Sequence, residues 1–481
     1  MKYNIEKING IAEKLAEIIE EALAAEDQTE IKIGSVEMAL RESLREIGEK
    51  ALVCFLENAD KEWEGVSKIE CTCGGKLKYQ RQRAATIWSV FGKVKYERAY
   101  YAGCRCGEGQ APLDKKYGLA PGKVTAGLAD LVGMSGIDKA FKEGQKWLKS
   151  FLLFEVSENT IRAETEQLGA IQKQMDDASV KAMQDETELQ KRECDQRQTP
   201  ERLYGSIDAA KVRIEPRDEL EKALEGRENW RDLKIVCWYQ GEIVPDREQS
   251  TRQKRKVQRS GTVIRAKGKE YYCDISEADE FGKLLWATGC SVGADRAKVL
   301  VFVCDGAVWI WNLVDYYFSN AVQIVDWYHA EDHLKGVATE AFQTPEERQA
   351  WLKPVVEDLW QGRVERVIAA CQKLSLSSDL ARKAALYFSN NCERMRYADF
   401  RAKGFLIGSG VIESGCKQIV SRRLKVPGAQ WNLDGAILTA KARAAWLSGK
   451  WQSLLKPLRA HRAVEFVTKS HFCVNIYATT R

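Results

Sequence analysis

The first part of the chain alternates apolar and polar residues at helical spacing. Within residues 3–26, apolar side chains recur every three or four positions, at Ile5, Ile8, Ile11, Leu15, Ile18, Ile19 and Leu23. A second amphipathic run covers residues 36–55. Because i, i+3 and i+4 positions share one face of a helix, both runs predict helices with one apolar side. Residues 1–66 are therefore interpreted as an N-terminal helical region.

The pattern then changes to β-branched and alternating residues, as in TIWSVFGKVKYERAYY at residues 86–101. It predicts a hairpin within residues 67–112, with its turn at Phe91-Gly92. A Cys-x-Cys pair stands at each end: Cys71 with Cys73, and Cys104 with Cys106. A hairpin brings its ends together, so four thiolates can surround one Zn²⁺ ion as in a zinc ribbon. Four reduced structural cysteines are the alternative, since typical zinc knuckles use the longer Cys-x-x-Cys spacing.

Residues 113–170 return to helical spacing. Within them, residues 139–169 read as a helix, a break at EVSE and a second helix. In a DNA-binding helix-turn-helix, Asn159, Thr160 and Arg162 would lie on the second helix, where such side chains reach base edges. An ordinary helical hairpin explains the pattern equally well. Residues 171–200 are polar and charged and end in a proline, which predicts a helical linker and a domain boundary.

Five strand-like runs follow, with one helical segment between the third and the fourth. The runs are YGSIDAAKVRI, LKIVCWYQGEIV, KEYYCDI, KVLVFVCDGAVWIW and AVQIVDWY. They predict an α/β domain whose first part covers residues 201–335. Helical spacing then continues through residues 336–402, which predicts a helical insertion. Residues 403–481 are interpreted as a further core helix and a basic C-terminal region.

Composition excludes several protein classes. The 481 residues include 44% hydrophobic and 30% charged side chains, which is typical of a folded chain of more than one domain. No apolar run is long enough to span a bilayer, and the N-terminus lacks a secretory pattern, so we expect a cytoplasmic protein without a membrane partner. Most of the fourteen cysteines are scattered singly and are expected to be reduced core residues.

Charge is unevenly distributed although the net charge is only +5. Residues 1–60 hold seven Lys or Arg and fourteen Asp or Glu, whereas residues 401–481 hold fourteen Lys or Arg and three Asp or Glu. Such a basic segment, interleaved with tryptophans, is suited to DNA or RNA, with a solvated helical face as the alternative. The basic segment 247–259 could add a phosphate contact.

Three carboxylates stand where metal chemistry would need them. Asp208 and Asp305 lie where predicted strands end, and Glu413 lies in the first turn of a predicted helix, after Gly408 and Gly410. Each has a structural explanation, since Asp begins many turns and Glu is favoured at helix N-termini. Together they could converge on two Mg²⁺ ions about 3.5–4 Å apart, which is a phosphoryl-transfer site.

Most of the chain resembles a known protein family. The segments SIDAAKV, DWYHAEDHL and IGSGVIESGCKQIVSRRLKVPGAQW resemble the Mutator-like DDE transposases of bacterial insertion sequences, and within them the Kra-type group. The resemblance implies an RNase H-like core with a helical insertion and with Asp208, Asp305 and Glu413 as ligands of Mg²⁺ or Mn²⁺. It also implies a site-organising or DNA-facing role for Asp326 and His329, and it supports structural Zn²⁺ at the paired cysteines.

The activity implied by the resemblance is cleavage and strand transfer of DNA. The partners would be the terminal inverted repeats of an insertion sequence and the target DNA, with a homodimer or larger assembly near the nucleoid. Cations and an aromatic residue downstream of Glu413 would hold the DNA backbone, namely Lys417, Arg422, Arg423, Lys425 and Trp431. His329 and His333 share one helical face and could bind a metal or contact a DNA phosphate, although a packed, hydrogen-bonded histidine explains His333 equally well. The rival functions are a non-catalytic zinc-containing DNA-binding protein, either a regulator or a domesticated relative, and an RNase H-like nuclease that cleaves without joining.

Overall fold

The computed structural model describes residues 33–185, 199–215, 229–245 and 262–456, with positions 13, 16, 17 and 20. The chain divides into two compact units, the first comprising Met1–Leu168 and Gln452–Arg481 and the second Gly169–Trp451. Parts of the predictions lie outside the described residues: the helix at residues 3–26 apart from those four positions, residues 186–198 of the linker, the basic segment 247–259, and residues 457–481 of the basic C-terminal region.

The first unit contains the predicted helix and hairpin. Helix α1 (Ile33–Asp60) precedes an antiparallel sheet of β1 (Lys68–Glu70), β2 (Lys76–Ser89) and β3 (Gly92–Ala102). Ser89 pairs with Gly92, so the two-residue turn is Val90-Phe91, one residue earlier than predicted. Gly92 has a φ of 111°, which glycine adopts without steric cost. The hairpin prediction is therefore confirmed.

The core of this unit lies between α1 and one face of the hairpin. Leu56 of α1 packs in a buried cluster with Ile87 of β2 and Val94 of β3. The carboxylate of Asp60, at the end of α1, is buried and accepts a hydrogen bond from the backbone N–H of Ala99 at 2.9 Å. This bond connects the end of α1 to β3. It also gives the buried carboxylate a donor, without which its burial would be costly.

Four helices follow the sheet: α2 (Pro112–Tyr117), α3 (Ala126–Asp138), α4 (Phe141–Leu152) and α5 (Glu158–Ala182). α4 and α5 form the predicted helix, turn and helix. The turn includes Leu153, which has a φ of 61°, and Ser157, whose hydroxyl accepts the N–H of Thr160 at 3.1 Å. The boundary predicted at residue 171 falls inside α5, because the helical pattern continues to Ala182.

The second unit is built on a mixed five-stranded sheet. Its strands are β4 (Arg202–Arg213), β5 (Trp230–Pro245), β6 (Thr262–Asp274), β7 (Val299–Cys304) and β8 (Val322–Val325). Their order across the sheet is β6-β5-β4-β7-β8. β5 is antiparallel to β4 and β6, whereas β7 is parallel to β4 and β8 is parallel to β7. The α/β class and the five strands are confirmed.

One strand prediction was partly wrong. The run KVLVFVCDGAVWIW forms β7 only as far as Cys304, and its second half begins helix α7 (Val308–Tyr317). The Asp305-Gly306 turn separates the two. The apolar residues after it, among them Ile310, Trp311 and Val314, are buried on one face of α7. Such a dense apolar run does not distinguish a buried helix from a strand.

The remaining helices surround or extend the sheet. α6 (Ala278–Val292) lies between β6 and β7 in the chain, as predicted. After β8 come α8 (Trp327–Ala341), α9 (Pro345–Trp360), α10 (Val364–Leu374), α11 (Asp379–Asn390) and α12 (Tyr397–Ala402), which form the predicted helical insertion. α13 (Gly410–Cys416) continues into a π-helical turn, Lys417–Ser421, and α14 (Leu433–Leu447) follows.

A buried ion pair joins α14 to the later part of α5. The Lys441 ammonium lies 2.7 Å from a carboxylate oxygen of Asp176, and these side chains are only 2% and 4% exposed. Gln172 donates a further hydrogen bond to Asp176 at 2.7 Å. Burial lowers the pKa of Lys441, but the charges of Asp176 and Asp274 outweigh that effect and hold the pKa above its usual value. Lys441 is therefore charged and paired inside the second unit.

Replacing Lys441 with Met should lower the free energy of unfolding by about 3–5 kcal/mol, because Asp176 would remain buried without its counter-charge. Urea denaturation followed by circular dichroism measures this change. Lys353→Met, which alters an exposed lysine of the same unit, should change stability by less than about 0.5 kcal/mol. A Lys441 variant as stable as this control would show that the pair contributes nothing.

Candidate functional site

Three aspartates lie on or directly after three neighbouring strands: Asp208 on β4, Asp305 after β7 and Asp326 after β8. Gly205 of β4 pairs with Phe302 of β7, and Cys304 of β7 pairs with Val325 of β8. If this register continued past the paired residues, Asp208 would lie beside Asp305 and Asp305 beside Asp326. Two bonds connect these segments: the Ile207 N–H to the Cys304 sulfur at 3.2 Å, and the Asp326 N–H to the Cys304 carbonyl at 2.7 Å.

Asp326, which directly follows β8, connects β8, α8 and the start of α13. Asp326 is fully buried and caps α8, where its Oδ1 accepts the backbone N–H of His329 at 2.7 Å and lies 3.2 Å from His329 Nδ1. Its Oδ2 accepts the backbone N–H of Ser409, the residue before α13. His329 N–H, His329 Nδ1 and Ser409 N–H thus use three of the roughly four acceptor positions of Asp326, so this carboxylate fixes its neighbours and keeps about one position for a metal.

Glu413 is brought to this row by α13. Ligand atoms of Asp326, His329 and Glu413 all lie within 4.8 Å of one another. The structure therefore places Glu413 beside the residues that sequence analysis assigned to organising the site. Asp208 and Asp305 do not belong to this group of ligand atoms, although the charge of Asp305 acts on both Asp208 and His329. The five predicted site residues therefore lie in one region of the second unit: Asp208, Asp305, Asp326, His329 and Glu413.

The electrostatics of this region favour a cation. Burial raises the pKa of Asp208, two hydrogen bonds partly oppose that rise, and the charge of Asp305 adds to it. The hydrogen bond to Asp326 raises the pKa of His329 to about 9, and the charges of Asp305 and Glu413 act in the same direction. Carboxylate oxygens are the ligands that Mg²⁺ and Mn²⁺ prefer, so Asp208, Asp305 and Glu413 fit such an ion chemically.

Sequence analysis missed a thiol at this site. The Cys416 thiol, one turn after Glu413 on α13, donates to Asp208 Oδ2 at 3.2 Å. Burial raises the pKa of this thiol far above its ordinary value, so it is a protonated donor. The spacing of three residues between Glu413 and Cys416 was the only signal in the sequence, since it puts both side chains on one helical face.

Tyr387 of α11 was also missed. Its ring packs against the Asp305-Gly306 turn, because a Cβ on Gly306 would lie 2.1 Å from the Tyr387 Cε2 atom. His333 stacks on the same ring with 4.0 Å between the ring centroids. The helical insertion thus supports the turn that carries Asp305. No local pattern predicts this contact, since it joins residues about eighty positions apart.

The basic residues after Glu413 separate into two groups. Lys417, Arg422 and Lys425 are exposed, and the Lys417 ammonium lies 3.8 Å from Glu413. Arg423 and Trp431 are only 1% and 6% exposed, and the guanidinium lies 4.9 Å from the indole centroid. The prediction of a DNA-contacting surface was therefore wrong for Arg423 and Trp431. These two side chains stack on each other within the core.

In the first unit, the helix-turn-helix residues occupy the start of α5. Asn159 and Arg162 are exposed and Thr160 is half-buried. The Arg162 guanidinium lies 5.5 Å from the ring centroid of Phe141, at the start of α4. All three side chains thus lie at or next to the surface at the N-terminal end of the second helix, where a recognition helix presents its reading residues.

The four paired cysteines meet in the first unit. Their sulfurs lie within 4.8 Å of one another, with Cys71 to Cys106 at 3.5 Å and Cys73 to Cys104 at 3.4 Å. These separations exceed a disulfide bond of about 2.05 Å and approach the ~3.8 Å expected between sulfurs placed tetrahedrally at ~2.3 Å from zinc. The cluster can hold a structural metal such as zinc.

Glycines shape this cluster in the same way at both ends. Gly74 and Gly107 follow the two pairs with φ values of 83° and 79°, and their N–H groups bond to the carbonyls of Cys71 and Cys104. A Cβ on Gly75 would lie 2.6 Å from the Cys104 sulfur. The backbone N–H of Cys73 is the main cause that lowers the pKa of Cys71 to about 7, whereas the neighbouring thiols raise the pKa of Cys73 and Cys106, as expected when several thiols crowd together without a cation.

Replacing Cys71 and Cys104 together with Ser should reduce bound zinc from about one ion per chain to near zero, because two of four ligands are lost. Metal analysis of the purified protein measures this. Cys54→Ser, which changes a cysteine of α1 outside the cluster, should keep the metal. Equal zinc content in both proteins would refute the assignment.

Replacing Gly306 with Ala should lower the free energy of unfolding by about 1–3 kcal/mol, because the added methyl group overlaps the Tyr387 ring. Thermal or urea denaturation measures the loss. The double variant Gly306→Ala with Tyr387→Ala should be more stable than the sum of the two single changes predicts, since the smaller side chain makes room. Strict additivity would show that the two residues do not interact.

No protein-family model matches the chain, and no curated protein matches it either. Among the described residues, no helix combines the length and apolar character needed to cross a bilayer.

Proposed function

We propose that the chain is a DDE transposase, which cleaves DNA and joins the resulting 3′ ends to a target. The observation that carries this proposal is the convergence of acidic side chains from distant parts of the sequence. Asp208 lies on β4, Asp305 and Asp326 directly follow β7 and β8, and α13 brings Glu413 within 4.8 Å of ligand atoms of Asp326 and His329. Asp326 is buried and Asp208, Asp305 and Glu413 are half-buried, and gathering such carboxylates is costly unless cations neutralise them, so metal binding explains the arrangement best.

The sheet topology supports an RNase H-like core. Counted from β4, the strand order is 3-2-1-4-5, with the first three strands antiparallel and the last two parallel to the first. One carboxylate lies on the first strand, the next directly after the fourth, and the third on a helix that follows the insertion. The resemblance to Mutator-like transposases of the Kra-type group implies the same order of acidic residues and the same helical insertion.

The side chains of the proposed site would have different roles. Asp208, Asp305 and Glu413 would hold Mg²⁺ or Mn²⁺. A pair of such ions, when bound, activates the attacking oxygen and stabilises the leaving oxygen of a phosphodiester. Asp326 holds His329 through Nδ1, and the His329 side chain is 47% exposed. Because the pKa of His329 is raised to about 9, its ring is protonated and the second N–H group can donate to a DNA phosphate.

Binding of DNA would involve both units. Lys417, Arg422 and Lys425 supply exposed positive charge near Glu413, which attracts the phosphate backbone in a salt-dependent way. Asn159, Thr160 and Arg162 would read bases of the terminal inverted repeats. The zinc cluster would stiffen the hairpin of the DNA-binding unit. Because transposition joins two ends to one target, we expect a homodimer or a larger assembly on DNA, near the nucleoid.

Asp305→Asn should reduce Mg²⁺-dependent cleavage of DNA carrying the ends of the element by more than about a hundredfold, because loss of a direct ligand exceeds the 10–100-fold effect of an outer-shell partner. Nicking and joining of labelled DNA are measured together, using the DNA that flanks the gene. DNA binding, measured by fluorescence anisotropy, should remain within about threefold, since most of its affinity comes from phosphate contacts elsewhere.

Asp279→Asn is the matched control, because it removes an exposed aspartate of α6 in the same unit. It should leave nicking and joining unchanged. Cleavage that persists in the Asp305 variant would refute the active-site assignment. Cleavage without joined products in the unmodified protein would favour a nuclease, and binding without either reaction would favour a regulator or domesticated relative.

A further inference from the structure

Both oxygens of Asp208 are already held by donors. Oδ1 accepts the backbone N–H of Ala209 at 2.7 Å, and Oδ2 accepts the Cys416 thiol at 3.2 Å. A carboxylate offers about four acceptor positions, so two remain for other partners. The thiol therefore restrains the orientation of the group without using up its capacity to bind a metal.

The position of the thiol is itself determined by close packing. Cys416 is 9% exposed at the end of α13, and Gly415 precedes it against Tyr271 of β6. A Cβ on Gly415 would lie 2.6 Å from the Tyr271 ring, so only glycine lets α13 approach the sheet this closely. The Tyr271 hydroxyl also donates to the Val411 carbonyl at 3.4 Å. The helix thus presents Cys416 to Asp208 at a fixed depth.

We propose that Cys416 is a positioning residue for the catalytic metal site, which it serves by orienting the Asp208 carboxylate through its S–H group. This inference rests on the proposed function. It gives α13 two tasks: Glu413 supplies one carboxylate, and Cys416, on the same helical face, orients another that lies some two hundred residues earlier in the chain. Donors of this kind commonly raise metal affinity or activity 10–100-fold.

Two substitutions separate a positioning role from a packing role. Cys416→Val fills the buried space but cannot donate, whereas Cys416→Ser is smaller but keeps an O–H donor. Positioning predicts that Val weakens Mn²⁺ binding about 10–100-fold and that Ser keeps it within about threefold. A packing role predicts the opposite result: Cys416→Val keeps Mn²⁺ binding and the melting temperature, whereas Cys416→Ser lowers both. Mn²⁺ binding is measured without DNA, by isothermal titration calorimetry, and melting temperature is recorded for each variant.

The same experiment distinguishes this inference from the proposed function. Asp208→Asn should lose Mn²⁺ binding at the catalytic site, and Cys371→Ala, which alters a buried cysteine of α10, should leave it unchanged. If Asp208→Asn loses the ion while Cys416→Val binds it normally, only the role of Cys416 is refuted. If Asp208→Asn binds Mn²⁺ like the unmodified protein, the proposed metal site fails, and the role of Cys416 fails with it.

Discussion

The geometry of the candidate site depends on one buried carboxylate. Asp326 has no exposed surface, and each of its oxygens accepts a backbone N–H, one from His329 and one from Ser409. Burial alone would raise its pKa, but the His329 side chain and these N–H groups outweigh burial and hold the pKa below its usual value. A charged group is therefore stable at the meeting point of β8, α8 and the start of α13. It fixes the start of the helix that carries Glu413 relative to β8.

Much of the fold could be predicted because its signals are local. β-branched runs predicted the five strands, and helical spacing predicted α6 and the insertion. The start of α7 was mistaken for strand because Val308 to Trp311 are all apolar and large, and such runs suit either state. The carboxylates of the site could be proposed from their places after strands and in a first helical turn. Their convergence depends on the register between β4, β7 and β8, which no local pattern contains.

The sequence did not reveal which of the charged residues are buried. Arg423 and Trp431 follow Glu413 in a basic segment and looked like a DNA-binding pair, yet they stack on each other inside the core. Lys417, in the same segment, is exposed. Net charge describes a segment as a whole, whereas contact with DNA requires individual side chains to reach the surface. The contacts of Cys416 and Tyr387 could not be predicted either, because their partner residues are far away in the sequence.

A buried arginine of α14, in addition to apolar side chains, holds the turn that continues α13. α14 is buried along most of its length, and it contains both Lys441 and Arg443. Lys441 is paired with Asp176 of α5, while Arg443 Nε donates to the Gln418 carbonyl at 2.5 Å, within the π-helical turn that continues α13. A π-helical turn leaves backbone carbonyls in unusual directions, and a rigid donor such as a guanidinium can satisfy one of them. The position of Glu413 is thus fixed at both ends of its helix: by Asp326 through Ser409 before it, and by Arg443 through Gln418 after it.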